Sequence, residues 1–238
     1  MALPSVETPR YELTLPSTDK KVQYRPFLVK EEKVLLMALE SKDQKEMMMA
    51  TKDILAACTF GQLDVSKLPV FDIEYIFLQI RARSIGEVAE FKVLCPDDKE
   101  TYANVKVDLS KIDVQVDDKH TNKILIDEKR NLGIVFNYPT LSLTKAGFDA
   151  DNVEVGKLFE IMAGCIDHIY EGDKIYPAKD STTKELTDFL EQLPQSSFQK
   201  IRTFFDTMPS LREEIEVENP KTKVKSKVIL QGIRDFFQ

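Results

Sequence analysis

The sequence predicts an α+β protein in which a helical core carries several antiparallel β-hairpins. Two observations predict this class. Segments with apolar residues at helical spacing are separated by segments in which apolar and polar residues alternate. Turn-forming clusters interrupt the alternating segments, for example Pro-Ser-Thr-Asp at 16–19 and Asn-Pro-Lys at 219–221, and such interruption is typical of hairpins.

The first region is predicted to span residues 1–112. Its most apolar helix begins near Val70 and continues to Gly86, so we expect this helix to be central. Three consecutive methionines at 47–49 point in different directions on a helix, which favours core packing over a binding surface. The predicted elements in order are a hairpin over 11–24, helices over 30–40, 43–58 and 70–86, and a hairpin over 88–109.

The second region is predicted to span residues 113–238, with Asp180 and Ser181 as candidate helix caps. An amphipathic helix feeds a long hairpin over about 70–110 and again over about 195–231, which suggests two helix-plus-hairpin halves. The predicted elements in order are strands over 124–126 and 133–138, a helix over 153–169, a tight hairpin over 169–176, helices over 182–193 and 195–207, and a hairpin over 215–230.

Composition narrows the classes of partner. The net charge is −7, with 33 basic and 40 acidic residues, so a nucleic acid is not expected as the main partner. Membrane insertion is not expected either, because no stretch approaches the roughly 20 apolar residues that a span requires. Three widely spaced cysteines favour reduced, buried thiols over a disulfide framework.

No catalytic, cofactor-binding or metal-ligating residue is predicted, so the chain is not expected to be an enzyme. His120 lies in a charged stretch that indicates a solvated loop, and His168 is expected at a helix end; both are interpreted as structural. The eight glycines do not form a phosphate-binding spacing. The segment Cys95 to Asp98 offers one thiolate where a zinc knuckle needs a Cys-x-x-Cys pair.

A basic strand face is expected near the C-terminus, where lysines recur at 221, 223, 225 and 227. The favoured interpretation is an exposed edge protected against strand pairing. The alternative is a docking surface for an acidic partner.

Several runs of residues resemble the baseplate hub proteins of T-even-like contractile-tailed phages. The resemblance covers most of the first 110 residues and the C-terminal end, whereas residues 115–190 do not contribute to it. The runs are YRPFLVKEEK at 24–33, FDIEYIFL at 71–78, IRARSIGE at 80–87 and LQGIRDFF at 230–237.

The resemblance implies a structural protein of the central hub or its surroundings, present in several copies in a symmetric assembly. It would dock onto other baseplate and tail proteins, in the host cytoplasm during assembly and then in the virion. The residues expected at the partner interface are Arg25, Phe27, Arg81, Arg83, Phe236 and Phe237.

Two alternatives to a retained structural component remain open at this point. One is an assembly chaperone for hub or tape-measure proteins, absent from the mature virion. The other is a tail-associated cell-wall hydrolase, which would need a carboxylate or nucleophile in a cleft.

The same resemblance bears on metal binding at the hairpin tips. Members of the family often carry Cys-x-x-Cys at two hairpin tips, like halves of a zinc ribbon. Here the first tip has Cys95 and Asp98, and the second has Asn219 and Thr222. The departure implies that zinc, if the family uses it, has been lost from this chain.

Overall fold

The computed structural model describes residues 7–41, 43–143 and 155–232. It confirms the α+β class, since these residues form helices and several small antiparallel sheets. They divide into two compact units. The first unit combines residues from 1–115 with residues from 210–238, and the second spans 116–209.

The described helices are α1 Val29–Ser41, α2 Gln44–Cys58, α3 Val70–Ile85, α4 Val155–Gly164, α5 Thr183–Glu191 and α6 Gln195–Asp206. The described strands are β1 Tyr11–Thr14, β2 Lys21–Tyr24, β3 Val88–Leu94, β4 Tyr102–Asp108, β5 Val114–Gln115, β6 Lys123–Asp127, β7 Leu132–Phe136, β8 Ile166–Glu171, β9 Lys174–Pro177, β10 Ser210–Glu218 and β11 Lys225–Gln231.

Helix α3 is the most extensively buried helix of the first unit, as its apolar sequence predicts. Its buried residues occupy more than one face, and eight of its sixteen residues are buried. Gly86 ends the helix at φ 134°, a backbone conformation that side chains with a Cβ rarely adopt. The buried residues of α3 are Phe71, Asp72, Ile73, Ile76, Phe77, Leu78, Ile80 and Ala82.

The N-terminal hairpin is tied to the start of α3 through Asp72. This carboxylate is fully buried and accepts hydrogen bonds from the backbone N–H of Ser17, at 3.1 Å, and from the Ser17 hydroxyl. Burial raises the pKa of Asp72, and the hydrogen bonds from Ser17 oppose that rise. A buried carboxyl needs such partners, so they fix the β1–β2 turn against α3.

Arg25 and Glu31 form a buried ion pair where the chain leaves β2 and enters α1. Nη2 of Arg25 lies 2.9 Å from Oε1 of Glu31, and the two side chains are 10% and 6% exposed. Glu31 also accepts the backbone N–H of Leu28 at 2.8 Å. Burial alone would raise the pKa of Glu31, but the hydrogen bonds from Arg25 and Leu28 outweigh it and lower that pKa. The pair fixes the turn into α1.

Two long hairpins, β3–β4 and β10–β11, share one hydrophobic core with α3. We call them together the double hairpin. Alternate residues of each strand point into this core, as expected from the period of two along a strand. The buried members are Leu78, Ala82, Ala89, Phe91, Val93, Cys95, Ala103, Val107, Leu109, Ile112, Leu211, Val217 and Leu230.

The structure groups the C-terminal hairpin with the first unit, whereas the sequence analysis grouped it with residues 113–238. The physical reason is that β10 pairs antiparallel with β5 through Ser210–Gln115 and Leu211–Val114, and that Leu211 is buried in the double-hairpin core. Helix α6 and hairpin β10–β11 follow one another as predicted but belong to different cores. They are therefore not a second copy of the α3–β3–β4 arrangement.

The second unit packs α4, α5 and α6 with an antiparallel sheet of order β6-β7-β8-β9. The tight hairpin predicted near 169–176 is confirmed, with Gly172 in its turn at φ 59°. The predicted helix over 153–169 is too long, since α4 ends at Gly164 and β8 begins at Ile166; the part before 155 lies outside the described residues. Thr182, not Asp180 or Ser181, caps α5.

Replacing Glu31 by Gln removes the anion that neutralises Arg25 inside the unit. We expect the free energy of unfolding, measured by urea denaturation, to fall by about 2–3 kcal/mol, because a buried guanidinium is left without its counter-charge. Glu32→Gln is the matched control, since Glu32 is the next residue of the same helix and is exposed. Equal losses in the two variants would contradict a stabilising role for the pair.

Candidate docking surface and the clasped hairpins

The structure separates Arg25 from the other residues predicted to lie at a partner interface. Its guanidinium is enclosed by Glu31, the carbonyl of Pro26 and the sulfur of Cys58, and the residue is 8% exposed. Such a side chain stabilises its own unit and offers little to a partner. The burial therefore argues against the predicted interface role of Arg25. Phe236 and Phe237 lie outside the described residues.

Phe27, Arg81 and Arg83 all lie at the last turns of α3, but Arg81 and Arg83 are two residues apart and point to different sides of the helix. The backbone N–H of Phe27 donates to the Ser84 hydroxyl at 2.7 Å, and the Phe27 ring lies 5.5 Å from that of Phe77. The Arg83 guanidinium sits 5.0 Å from the Tyr11 ring centroid, within cation–π range. Arg81 is partly buried, and its guanidinium lies 5.9 Å from the Phe91 ring centroid. This burial lowers the pKa of Arg81.

The end of α3 also exposes apolar side chains that sequence reasoning did not identify. Ile85 and Val88 are 66% and 60% exposed on either side of Gly86. In the same segment, Arg83 and Glu87 form an ion pair at 2.6 Å. We call Phe27, Arg83, Ile85, Glu87 and Val88 the α3 corner. The sequence did contain a signal for this exposure. Two β-branched residues, Ile85 and Val88, lie close to Gly86, the glycine that ends the helix.

The tips of the double hairpin are joined by a network of hydrogen bonds that we call the clasp. The carboxylate of Asp97, in the β3–β4 turn, accepts the Asn219 side-chain amide at 2.9 and 3.1 Å and the Thr222 hydroxyl at 2.5 Å. Asn219 is 1% exposed, and its Oδ1 also accepts the backbone N–H groups of Lys221 and Thr222. One amide side chain therefore shapes its own turn and binds the opposite one.

Asp98 stabilises the β3–β4 turn by accepting hydrogen bonds within that turn. Its carboxylate accepts the Thr101 hydroxyl at 2.5 Å and the backbone N–H groups of Thr101 and Glu100. Hydrogen bonds from Thr101 lower the pKa of Asp98 well below its ordinary value, and those from Asn219 and Thr222 lower that of Asp97. Both carboxylates are held in the ionised form, as hydrogen bonds to the charged state require.

The donor atoms at the clasp do not suit zinc. A structural zinc site uses four ligands, mostly thiolates and imidazoles. The matching positions here hold one thiol, Cys95, whose pKa is raised by burial, and Asp98, Asn219 and Thr222, whose oxygens already take part in turn hydrogen bonds. Hydrogen bonds from Asn219 and Thr222 to Asp97 join the two turns. Among the described residues, no group of three or more His, Cys, Asp and Glu side chains is placed to hold a metal ion.

The lysine-rich strand face is an ion-pair ladder. Lys223, Lys225 and Lys227 face glutamates of β10 at 3.8, 2.7 and 2.5 Å. All of these side chains are more than half exposed, so each pair contributes little to stability. Because β11 lies at one edge of its sheet, the ladder fits the interpretation of a protected edge better than that of a free cationic surface.

His120 lies at the end of an exposed loop, as predicted, but its own ring is half-buried, which corrects the expectation of a solvated side chain. Its two ring nitrogens are 2.9 Å from the Thr207 hydroxyl and 3.0 Å from the Tyr138 hydroxyl, and its ring stacks on Phe204. Burial lowers the pKa of His120. His168 lies in strand β8, not at a helix end, with Nδ1 2.7 Å from Asp167. Both geometries fit the structural interpretation.

Comparison with known proteins gives one family. The sequence model of the family described as T4 bacteriophage base plate protein matches residues 8–238. No curated protein and no solved structure matches the chain. Across the described residues, every helix is too short or too polar to cross a membrane.

Truncating Asn219 to alanine removes the side chain that links the two hairpin turns. We expect the free energy of unfolding to fall by about 1–3 kcal/mol, because Asn219 is buried and its hydrogen bonds to the turn amides are lost. Asn104→Ala, on the exposed face of β4, is the matched control. A loss no larger than that of the control would show that the clasp does not hold the tips together.

The clasp also predicts the direction of an acid effect. The pKa values of Asp97 and Asp98 are lowered in the folded state, so their stabilisation is complete above the unfolded pKa, about 4. It is lost as the pH falls through the folded values. Thermal denaturation of Asp97→Asn should show lower stability than the wild type at neutral pH and a smaller loss on acidification. If the stability of Asp97→Asn and of the wild type fell equally on acidification, the Asp97 carboxylate would not be the source of the acid effect.

Proposed function

Because the chain belongs to the T4 bacteriophage base plate protein family, we propose that it is a structural component of the central hub or its immediate surroundings. Membership gives the chain a structural role in a phage tail baseplate, in association with other tail proteins. The hub position is the proposed refinement. It is supported by the resemblance of residues 24–33, 71–78, 80–87 and 230–237 to hub proteins.

We infer that the protein acts by docking through the α3 corner. The observation that carries this proposal is the exposure of Ile85 and Val88 beside the Arg83–Glu87 ion pair. Exposed apolar side chains rimmed by charges are typical of protein–protein contact surfaces. The corner is also firmly supported, because Phe27 and the Ser84 hydroxyl fasten the preceding chain to α3. A supported surface loses little conformational entropy on docking.

Docking is favoured over catalysis by the state of the candidate general bases. Both ring nitrogens of His120 are within hydrogen-bonding distance of hydroxyl groups, and its ring stacks against Tyr138 and Phe204. Asp97 and Asp98 have lowered pKa values and are occupied by turn hydrogen bonds. These groups serve the fold, which is the arrangement expected of a structural protein.

The proposal predicts the fate of the chain during tail assembly. Quantitative mass spectrometry of purified particles should give a fixed number of copies per mature tail. In complementation of a phage lacking this chain, Ile85→Asp should reduce incorporation at least tenfold, since an acidic group replaces an apolar contact. Val116→Asp is the matched control, because Val116 is also β-branched and 61% exposed.

Other outcomes would identify the alternatives. Abundance in assembly intermediates and absence from mature particles would replace the structural component with an assembly chaperone. Normal incorporation of Ile85→Asp, with the chain present in mature tails, would overturn the α3 corner while leaving the baseplate role intact.

A further inference from the structure

Helix α1 carries apolar side chains on the face that it does not bury. Leu35 and Ala38 are each 6% exposed and point into the first unit. On the opposite face, Val29, Leu36 and Met37 are 83%, 54% and 60% exposed. Solvent-facing positions of an amphipathic helix are ordinarily polar, so a partner would remove these three side chains from water.

The charged residues on this outer face have a defined order. At about 100° per residue, Lys33 and Glu40 lie on the same side of the helix as Leu36, about 60° and 40° from it. Both are exposed, and neither has an ion pair within the described part of the chain. Along the helix Lys33, Leu36, Met37 and Glu40 therefore read cation, two apolar side chains, anion, and the exposed Glu32 lies at the edge of this face. We call Lys33, Leu36, Met37 and Glu40 the α1 seam.

We propose that the α1 seam is a homodimer interface in which a second copy of this chain packs its α1 antiparallel across a two-fold axis. The axis passes between Leu36 and Met37. A two-fold contact uses the same surface on both copies and must be complementary to itself. The seam meets that condition, because Leu36 of one copy meets Met37 of the other, and the reverse.

The charges agree with this register. Lys33 and Glu40 each lie three and a half residues from the proposed axis, or about 5 Å along the helix. In the antiparallel pair, Lys33 of each copy therefore lies opposite Glu40 of the other. A parallel pair would place Lys33 against Lys33 and Glu40 against Glu40, which like-charge repulsion disfavours. The mixed signs also fit a second copy better than a partner of one uniform charge.

The size of the seam predicts a weak association. Two helices in contact at a separation of about 8–10 Å cover less than the roughly 1,200 Å² of a standard interface. We expect dissociation constants on the order of micromolar or weaker for the isolated chain. This inference goes beyond the proposed docking role, since it concerns the isolated protein and needs no other tail component.

Sedimentation velocity of the full chain over a wide concentration range tests the proposal. The wild type should show a monomer–dimer equilibrium. Lys33→Glu and Glu40→Lys should each raise the dissociation constant about tenfold, because two attractive pairs become repulsive. The double variant Lys33→Glu/Glu40→Lys should restore wild-type association, since it re-forms both pairs with reversed sign. Leu36→Asp should abolish association.

A mixture of Lys33→Glu with Glu40→Lys tests the proposed pairing of positions 33 and 40 most directly. One copy then carries only glutamate at positions 33 and 40 and the other only lysine, so a heterodimer should form at concentrations at which each variant alone is mostly monomeric. Circular dichroism checks that each variant is folded, which the exposure of positions 33 and 40 favours. A wild type that stays monomeric at all concentrations would overturn the proposal, and so would single variants that dimerise like the wild type or a mixture without heterodimer. Capture of a different baseplate protein by the seam of a monomeric chain would likewise overturn it.

Discussion

The fold of the first unit depends on the burial of α3 on more than one face. Ile73, Ile76 and Ile80 are buried on this helix, and Leu78 and Ala82 contribute to the double-hairpin core. A helix with this distribution of apolar residues is stable only when it is covered on several sides. The chain covers part of it with β3–β4, which follow directly. Leu211, Val217 and Leu230 of β10–β11 complete that core, although β10 begins at Ser210, 125 residues after α3 ends at Ile85. Distant parts of the chain must therefore meet in one unit.

Carboxylates hold the junctions of this arrangement. Asp72 fastens the β1–β2 turn to α3, Glu31 fastens the start of α1 to Arg25, and Asp97 fastens one hairpin tip to the other. Apolar burial is not directional and leaves the tips of two packed hairpins free to slide. Hydrogen bonds to an ionised acceptor are stronger than those between neutral groups and have a defined geometry. These three acids therefore fix which turn meets which element.

Local patterns in the sequence predicted most elements, but they did not reveal their long-range pairing. Helical spacing and alternation located α1, α2, α3 and both long hairpins closely, because each signal is contained within one segment. The end of α4 was missed because apolar residues continue through Cys165 into β8, without a polar break or a proline. The grouping of β10–β11 with α3 depends on partners far away in sequence, for which a single sequence carries no periodic signal. Arg25 was expected at a partner interface from the family resemblance, and only Glu31, six residues onward at the start of α1, indicated an internal ion pair.

The two candidate docking surfaces are small, and small surfaces can still serve an assembly. The α3 corner and the α1 seam each expose only two or three apolar side chains, which is too little for tight binding by a single contact. In a symmetric particle each subunit is held by several neighbours at once, and every contact after the first forms at a high effective concentration. Contacts that are individually weak allow a wrongly placed subunit to dissociate before the next one is added. A structural chain of this kind is therefore better served by several small, well-supported surfaces than by one large hydrophobic face, which would aggregate before assembly.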